Sequence, residues 1–199
     1  MPSISILAKA PIPGLAKTRL IAAIGADAAA VLQERLTERA VASALAADVG
    51  PVVLWCTPEP GHVSFRELVA RHKVTLKRQS EGDLGQRMLA AMSGPTLVIG
   101  SDCPALSADH LRAAAKALDD GANVVLIPAQ DGGYVLIGTR APQPQLFAGI
   151  AWGTDTVLAD TRARISAAGL TCVELAPLWD VDTEADLARL EREFPDLSL

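Results

Sequence analysis

Short, mostly apolar runs alternate along this chain with longer segments of helical periodicity, and that alternation narrows the fold more than any other feature. The runs are Ser3–Ala8, Pro51–Cys56, Val74–Lys77, Thr96–Ile99 and Asn123–Ile127. Strands buried on both faces read this way. Between them, Ala26–Ala47 carries Leu32, Leu36, Ala40 and Ala44 as an i, i+4 stripe, with Gly50 beyond it as a stop signal. Val63–His72 and Asp83–Ala91 are further helices. Ser107 can N-cap a fourth, with Asp109 in its first turn and Leu111 and Leu118 facing inward. A βαβα alternation predicts a mainly parallel sheet with helices on both faces.

The order then breaks. Gly132–Gly138 (GGYVLIG) reads as a strand, but it follows Asn123–Ile127 too closely for a helical crossover. The sheet is therefore expected to be mixed. Asp155–Ala168 reads as a helix with Gly169 as its C′ residue, Thr171–Leu175 as a last strand, and APQPQ at 141–145 as a surface turn. Thr183 and Asp186 are spaced as a capping box for a final helix, Thr183–Glu193, with Pro195 beyond its end. With no repeat, low-complexity segment or linker, residues 1–199 read as one domain.

Half of the residues are hydrophobic, enough for a sizeable core. Lys plus Arg is 18 and Asp plus Glu is 23, a formal net charge of −5. That balance, without a basic block or interleaved aromatics, argues against nucleic acid as a partner. Cys56, Cys103 and Cys172 are odd in number and form no CxxC pair, so neither a disulfide framework nor a cysteine zinc site is indicated. A cytoplasmic setting is expected. Neither a signal peptide nor a run of about 18 apolar residues for a membrane span is present. Oligomeric state is left open.

In a parallel sheet, ligands sit beyond the carboxyl ends of the strands. KAPIPGLAKTR (9–19) follows the first strand, GSDCP (100–104) the fourth and AQDGGY (129–134) the fifth, while LWDVDT (178–183) follows the last. One edge thus collects Lys9, Lys17 and Arg19 with Asp102, Asp131, Asp180 and Asp182. Cations can meet phosphate oxygens, and carboxylates can hold Mg²⁺ or Mn²⁺ bridging them. The first segment lacks the Walker spacing and has a plain rival reading as a solvated loop. Asp102 and Asp131 could be turn formers, and Asp182 a helix cap. Gly132 and Gly133 would let backbone approach a ligand or adopt φ > 0. Trp152 is either a core anchor or a pocket wall. Cys103 stands beside Asp102, but no histidine is placed to activate it, which favours packing. His62, His72 and His110 form no triad pattern.

KAPIPGLAKTRL, GDLGQRM (82–88), IGSDCPAL (99–106), DGGYVLIG (131–138), WGTDTVL (152–158) and DVDTEADL (180–187), in this order, resemble the DUF2064 family across nearly the whole chain. Its members are described as nucleotide-diphospho-sugar transferase-like, some as glycosyltransferases in radical-SAM or arsenosugar gene neighbourhoods. The resemblance implies a GT-A type fold: three layers, α/β/α, around a mixed, mostly parallel sheet. It places Lys9, Pro13, Gly14, Lys17 and Arg19 in the nucleotide loop and puts Asp102 at the metal-binding acidic motif. GDLGQRM follows the third strand at the same edge, so Gln79 or Arg87 could touch a base or phosphate, with a surface position the rival reading of either. The glycosyltransferase D-x-D is replaced by Ser101-Asp102-Cys103, so a second metal ligand is expected from Asp131 or Asp182. Gly132, Gly133, Tyr134 and Trp152 are the expected substrate pocket.

The implied activity is a metal-dependent transfer from a nucleotide-activated sugar to a small-molecule acceptor, with Asp102 and Asp131 catalytic. The alternatives are nucleotidyl transfer from a nucleoside triphosphate, as in the 2-phospholactate guanylyltransferase group, which also has an AKTRL-like stretch, and a non-catalytic nucleotide-binding module. If KAPIPGLAKTR faces solvent, removing Lys17 or Arg19 should weaken nucleotide binding and leave stability nearly unchanged.

Overall fold

The computed structural model describes all 199 residues. One seven-stranded sheet runs through it in the order β3-β2-β1-β4-β6-β5-β7. The strands are β1 (Ser3–Lys9), β2 (Val52–Thr57), β3 (Thr75–Arg78), β4 (Thr96–Gly100), β5 (Val124–Pro128), β6 (Tyr134–Thr139) and β7 (Cys172–Glu174). All neighbours pair in parallel except β6, which is antiparallel to both β4 and β5. The expected mixed sheet is present, and its odd strand is the one whose connection is too short for a crossover.

Two-sided burial is the reason the strands read as continuous apolar runs. Along β1, Ile4 and Ile6 enter the larger core while Leu7 packs on the smaller one. In β5, Val125 and Ile127 face the first and Val124 and Leu126 the second. With a side-chain period of two, both faces must be covered. The larger core is closed by α2 (Ala26–Ala47), α3 (Val63–Arg71) and α5 (Ala108–Asp119), through residues such as Val41, Phe65 and Leu111. On the other face, α4 (Leu84–Ala90) and α6 (Val157–Ala167) contribute Met88, Leu158 and Ile165. A third cluster packs the C-terminal segment onto α2, with Trp179, Val181 and Leu190 against Leu32 and Leu36. Leu190 lies on α7 (Glu184–Glu193); the short helical turn α1 (Ile21–Ile24), which sequence periodicity did not suggest, precedes α2.

The helix starts follow the expected chemistry. Ser107 caps α5 in a box with His110, and Thr183 caps α7 in a box with Asp186. Asp83 caps α4 in a box with Gln86, so this residue precedes the helix rather than beginning it. No helix is long and apolar enough to cross a membrane.

Because β6 runs backwards, the turn that joins it to β5 lies at the carboxyl edge of the parallel strands. Gly132 has φ 93° there, and a Cβ at this position would stand 2.2 Å from the Asp155 carbonyl oxygen. The close approach expected of this glycine pair is thus to the protein's own backbone. Gly133 has no such φ; its Cβ would lie 3.3 Å from Asp131 Oδ1. Gly132→Ala is expected to lower the melting temperature by roughly 2–12 °C, since one steric clash of this kind costs on the order of 1–3 kcal/mol. Gly133→Ala should cost clearly less. Equal melting of the two variants would show that the Gly132–Asp155 contact relaxes freely.

Candidate functional site

Each strand at the carboxyl edge hands its chain to a segment that builds one recess. After β1, residues 10–17 fold into a compact turn: the Ala16 N–H donates to the Ile12 carbonyl, and Gly14 takes φ 81°. Lys17 itself is left-handed, φ 44° and ψ 46°. This conformation is uncommon for a side-chain-bearing residue. Its ammonium lies 2.9 Å from Asp102 Oδ1 and 3.3 Å from Asp182 Oδ1, and it donates to the Val181 carbonyl oxygen at 2.7 Å. Only 4 % of the side chain is exposed. The rival reading of a wholly solvent-facing loop therefore fails at Lys17, because two carboxylates and a carbonyl make burial of the ammonium favourable. It holds at Arg19, whose side chain is 70 % exposed and reaches Asp182 Oδ2 at 3.4 Å. Burial opposes the Lys17 charge, but Asp102 and then Asp182 outweigh it, and its pKa is raised.

Asp102 follows β4 and is positioned from two sides. The Val181 N–H donates to its carbonyl oxygen at 3.0 Å. Ser101 Oγ lies 3.4 Å from its Oδ1 and accepts a 2.9 Å bond from Gln33 Nε2 on α2. The segment after β7 continues alongside β5 through the Ala129–Leu178 bridge and then crosses to the end of β4. That path delivers Asp180 and Asp182 to Asp102. The alternative reading of Asp182 as a helix cap does not hold: Thr183 caps α7, while the Asp182 side chain faces Lys17 and Arg19. Asp131 is in the β5–β6 turn, and its Oδ1 accepts from the Gly133 N–H at 3.0 Å.

Asp180 reveals how closely these carboxylates gather. Burial, then the charges of Asp102, Asp131 and Asp182 against that of Lys17, push its pKa up to about 7. Cys103 is also pushed up to about 12, first by burial and then by Asp180, which fits packing and not nucleophilic work.

Two adjoining cavities open on this cluster. One, of about 360 Å³, is bordered by Lys9, Lys17, Arg19, Gln79, Arg87 and Asp102. The other, of about 410 Å³, is bordered by Asp131, Gly133, Tyr134, Trp152, Asp155 and Asp180. They share Leu7, Arg19, Leu84 and Asp182. The proposed nucleotide residues Lys9, Lys17, Arg19 and Arg87 thus come together. Pro13 and Gly14 do not border either cavity; they shape the turn behind it. Gly132 is likewise absent from the lining, being turned toward Asp155. Gln79 is anchored by its own amide, which donates to the carbonyls of Ala8 and Trp55.

The GDLGQRM and WGTDT segments meet in space. A Cβ on Gly85 would stand 2.6 Å from Trp152 Cζ2, so only glycine admits the indole there. Trp152 is both a packed residue and a cavity wall. Sequence reasoning missed Gln33, Asp155 and the weight of Asp180; Gln33 lies far in sequence from Ser101, and Asp155 and Asp180 stand in WGTDTVL and DVDTEADL, segments read for their other residues.

The family model described as "Uncharacterized protein conserved in bacteria (DUF2064)" matches residues 40–154. The chain belongs to the DUF2064 family. A solved structure from Desulfovibrio desulfuricans G20, a "putative nucleotide-diphospho-sugar transferase", shares 28 % identity, covers 98 % of this chain and 90 % of its own, and superposes with a TM-score of 0.85. A nucleotidyl transferase from Methanothermobacter thermautotroptrophicus is 18 % identical, with 97 % and 98 % covered and a TM-score of 0.62. The 4-diphosphocytidyl-2C-methyl-D-erythritol synthase of Anaerococcus prevotii is 11 % identical, with 98 % and 99 % covered and a TM-score of 0.60. These likenesses establish the nucleotide-diphospho-sugar transferase-like fold. No match is found among curated proteins.

A divalent ion fits the donor set in one manner. No three His, Cys, Asp or Glu side chains are grouped to hold a metal by themselves, so the expected set of Asp102, Asp131 and Asp182 is not an all-protein site. Hard carboxylate oxygens gathered beside cations suit an ion held by one or two of them together with phosphate and water, as Mg²⁺ usually is.

Removing the ammonium tests whether Lys17 is structural as well as functional. Breaking a fully buried ion pair costs about 3–5 kcal/mol. Asp102 and Asp182 are 42 % and 38 % exposed, which screens them. Lys17→Met is therefore expected to cost roughly 2–3 kcal/mol, or about 5–10 °C in melting temperature. Arg19→Met should melt within about 2 °C of the parent. Equal melting of both variants would return Lys17 to the status of a loop cation.

Proposed function

We propose that this protein transfers a sugar from a nucleoside-diphosphate donor to a small acceptor, with Mg²⁺ or Mn²⁺ as cofactor. One observation carries the reading: a cation-bordered cavity and a carboxylate- and aromatic-bordered cavity adjoin across Arg19 and Asp182, with Asp102 beside the first and Asp131 beside the second. Two compartments of opposite charge suit a diphosphate leaving group and a separate acceptor.

In this arrangement Lys9, Arg19 and Arg87 bind the diphosphate through charge-assisted contacts. Lys17, already held at the junction, keeps positive charge where the leaving group develops its own. Asp102, with Asp131 or Asp182, would hold the metal. When bound, the metal would neutralise the diphosphate as the bond to the sugar breaks. Asp131 takes the proton of the attacking hydroxyl, the acceptor oxygen bonds to the anomeric carbon, and the electron pair of the broken bond leaves with the diphosphate. The Gly133 N–H holds the Asp131 carboxylate in place meanwhile.

Nucleotidyl transfer is the second reading. It is favoured by the single Asp of Ser101-Asp102-Cys103 and by the names of the Methanothermobacter and Anaerococcus structures. In that case Lys9, Lys17 and Arg19 embrace the β- and γ-phosphates during an in-line displacement. The two differ in product. Incubated with Mn²⁺ and panels of sugar nucleotides and nucleoside triphosphates, the protein is expected to release nucleoside diphosphate. Pyrophosphate release would establish the second reading instead. Binding without either product would show a nucleotide-binding module.

A further inference from the structure

The cavity beside Trp152 has a charge pattern that constrains its occupant. Four aspartates border it, Asp131, Asp155, Asp180 and Asp182, against one bordering cation, Arg19. That guanidinium is 3.4 Å from Asp182 Oδ2 and is shared with the other cavity. Asp182 is also paired with Lys17 at 3.3 Å, and burial raises the Asp180 pKa to about 7, so Asp131 and Asp155 carry the uncompensated negative charge. No lysine or histidine borders the space. Lys9, Lys17 and Arg87 all lie on the neighbouring, cation-rich side.

The rest of the lining is mainly apolar and aromatic, with Thr154 as the polar exception. Leu7, Met88 and Val98 line it together with Tyr134 and Trp152. The indole packs closely on Gly85, where any Cβ would fall inside contact distance. A preformed aromatic wall with surrounding carboxylates suits an organic cation, which gains from both the π face and the negative charge. A phosphate or carboxylate entering the same space would be stripped of water beside like charges, with no unshared cation to receive it. A divalent ion taken up by Asp102 and one of Asp131 or Asp182 would not reverse this, because the diphosphate brings its own negative charge to the same junction.

We propose that this cavity is the acceptor subsite and that its acceptor is a hydroxyl compound with an apolar face and an ammonium group, not a phosphate- or carboxylate-bearing metabolite. The assignment of the space to an acceptor rests on the transferase reading above; the preference for positive charge rests on the lining alone.

Three matched phenols serve as probes: tyramine, 4-hydroxyphenethyl alcohol and 4-hydroxyphenylacetate, which share a ring and differ in the charge of the tail. Binding to the full chain is measured by saturation-transfer NMR and calorimetry, with Mn²⁺ and a nucleoside diphosphate present. Tyramine is expected to bind at least about tenfold tighter than the carboxylate, the alcohol falling between, as one unit of charge reversed beside several carboxylates would give. Asp155→Asn should narrow that ratio to about threefold without changing the melting temperature, because Gly132 touches the Asp155 backbone and not its side chain. Equal or tighter binding of the carboxylate, or binding of none of the three, would overturn the proposal. Nucleotide binding is followed in the same samples. If nucleotide fails to bind while tyramine is still preferred, the transferase reading falls and the charge preference stands. If nucleotide binds and the carboxylate wins, only this inference falls.

Discussion

One buried ammonium ties the site together. Lys17 joins the loop after β1 to the end of β4 through Asp102, and to the C-terminal segment through Asp182 and the Val181 carbonyl. These three stretches are distant in sequence. Hydrophobic contacts bring their scaffolds near one another, Trp179 and Val181 against Leu32 and Leu36. The ion cluster, with the Val181 N–H bond to the Asp102 carbonyl, fixes how their polar ends face. The left-handed backbone at Lys17 suggests that local preference yields to this demand, since such a conformation persists only where its surroundings over-determine it.

The antiparallel strand β6 completes the edge. A sheet of parallel strands alone would place loops after β1, β4 and β5 at the carboxyl end. Inserting β6 between β4 and β5 turns the β5–β6 connection back at that same end, where Asp131 and Gly133 join the recess. Gly132 then packs on the Asp155 carbonyl and so sets the WGTDT segment, whose Trp152 rests on Gly85. Three segments distant in sequence therefore shape one cavity wall by contact with each other. The loop of cations shapes the other compartment, and the carboxylates mark the boundary.

Much of this was legible in the sequence, for physical reasons. Two-sided burial makes parallel strands conspicuous, so the strand order in sequence, the helices between and the reversed strand all followed from apolar periodicity and connection length. Capping chemistry marked Ser107 and Thr183 correctly. Strand-end placement brought Lys9, Lys17, Arg19, Asp102, Asp131 and Asp182 to one edge. Burial of individual polar groups was not legible: Lys17 and Arg19 lie two residues apart in one loop, yet one is enclosed and the other exposed. That difference depends on the C-terminal segment crossing to β4, a tertiary event with no local signal. The same holds for Gln33, which reaches Ser101 from a helix whose pattern shows only an apolar stripe, and for Pro13 and Gly14, whose turn supports the recess from behind.

The most direct test concerns Asp102, where the cation cluster meets the proposed nucleotide and metal sites. Asp102→Asn keeps the shape and one carbonyl oxygen of the side chain but removes its charge. Lys17 retains Asp182 and the Val181 carbonyl, and Asp180 loses a repelling neighbour, so the fold should melt within a few degrees of the parent. The measurement is Mn²⁺-dependent binding of nucleoside diphosphates by calorimetry, with melting followed in parallel. Loss of metal-dependent binding in a variant that still folds is the expected result. A variant that binds Mn²⁺ and nucleotide like the parent would contradict the assignment of Asp102 to this site.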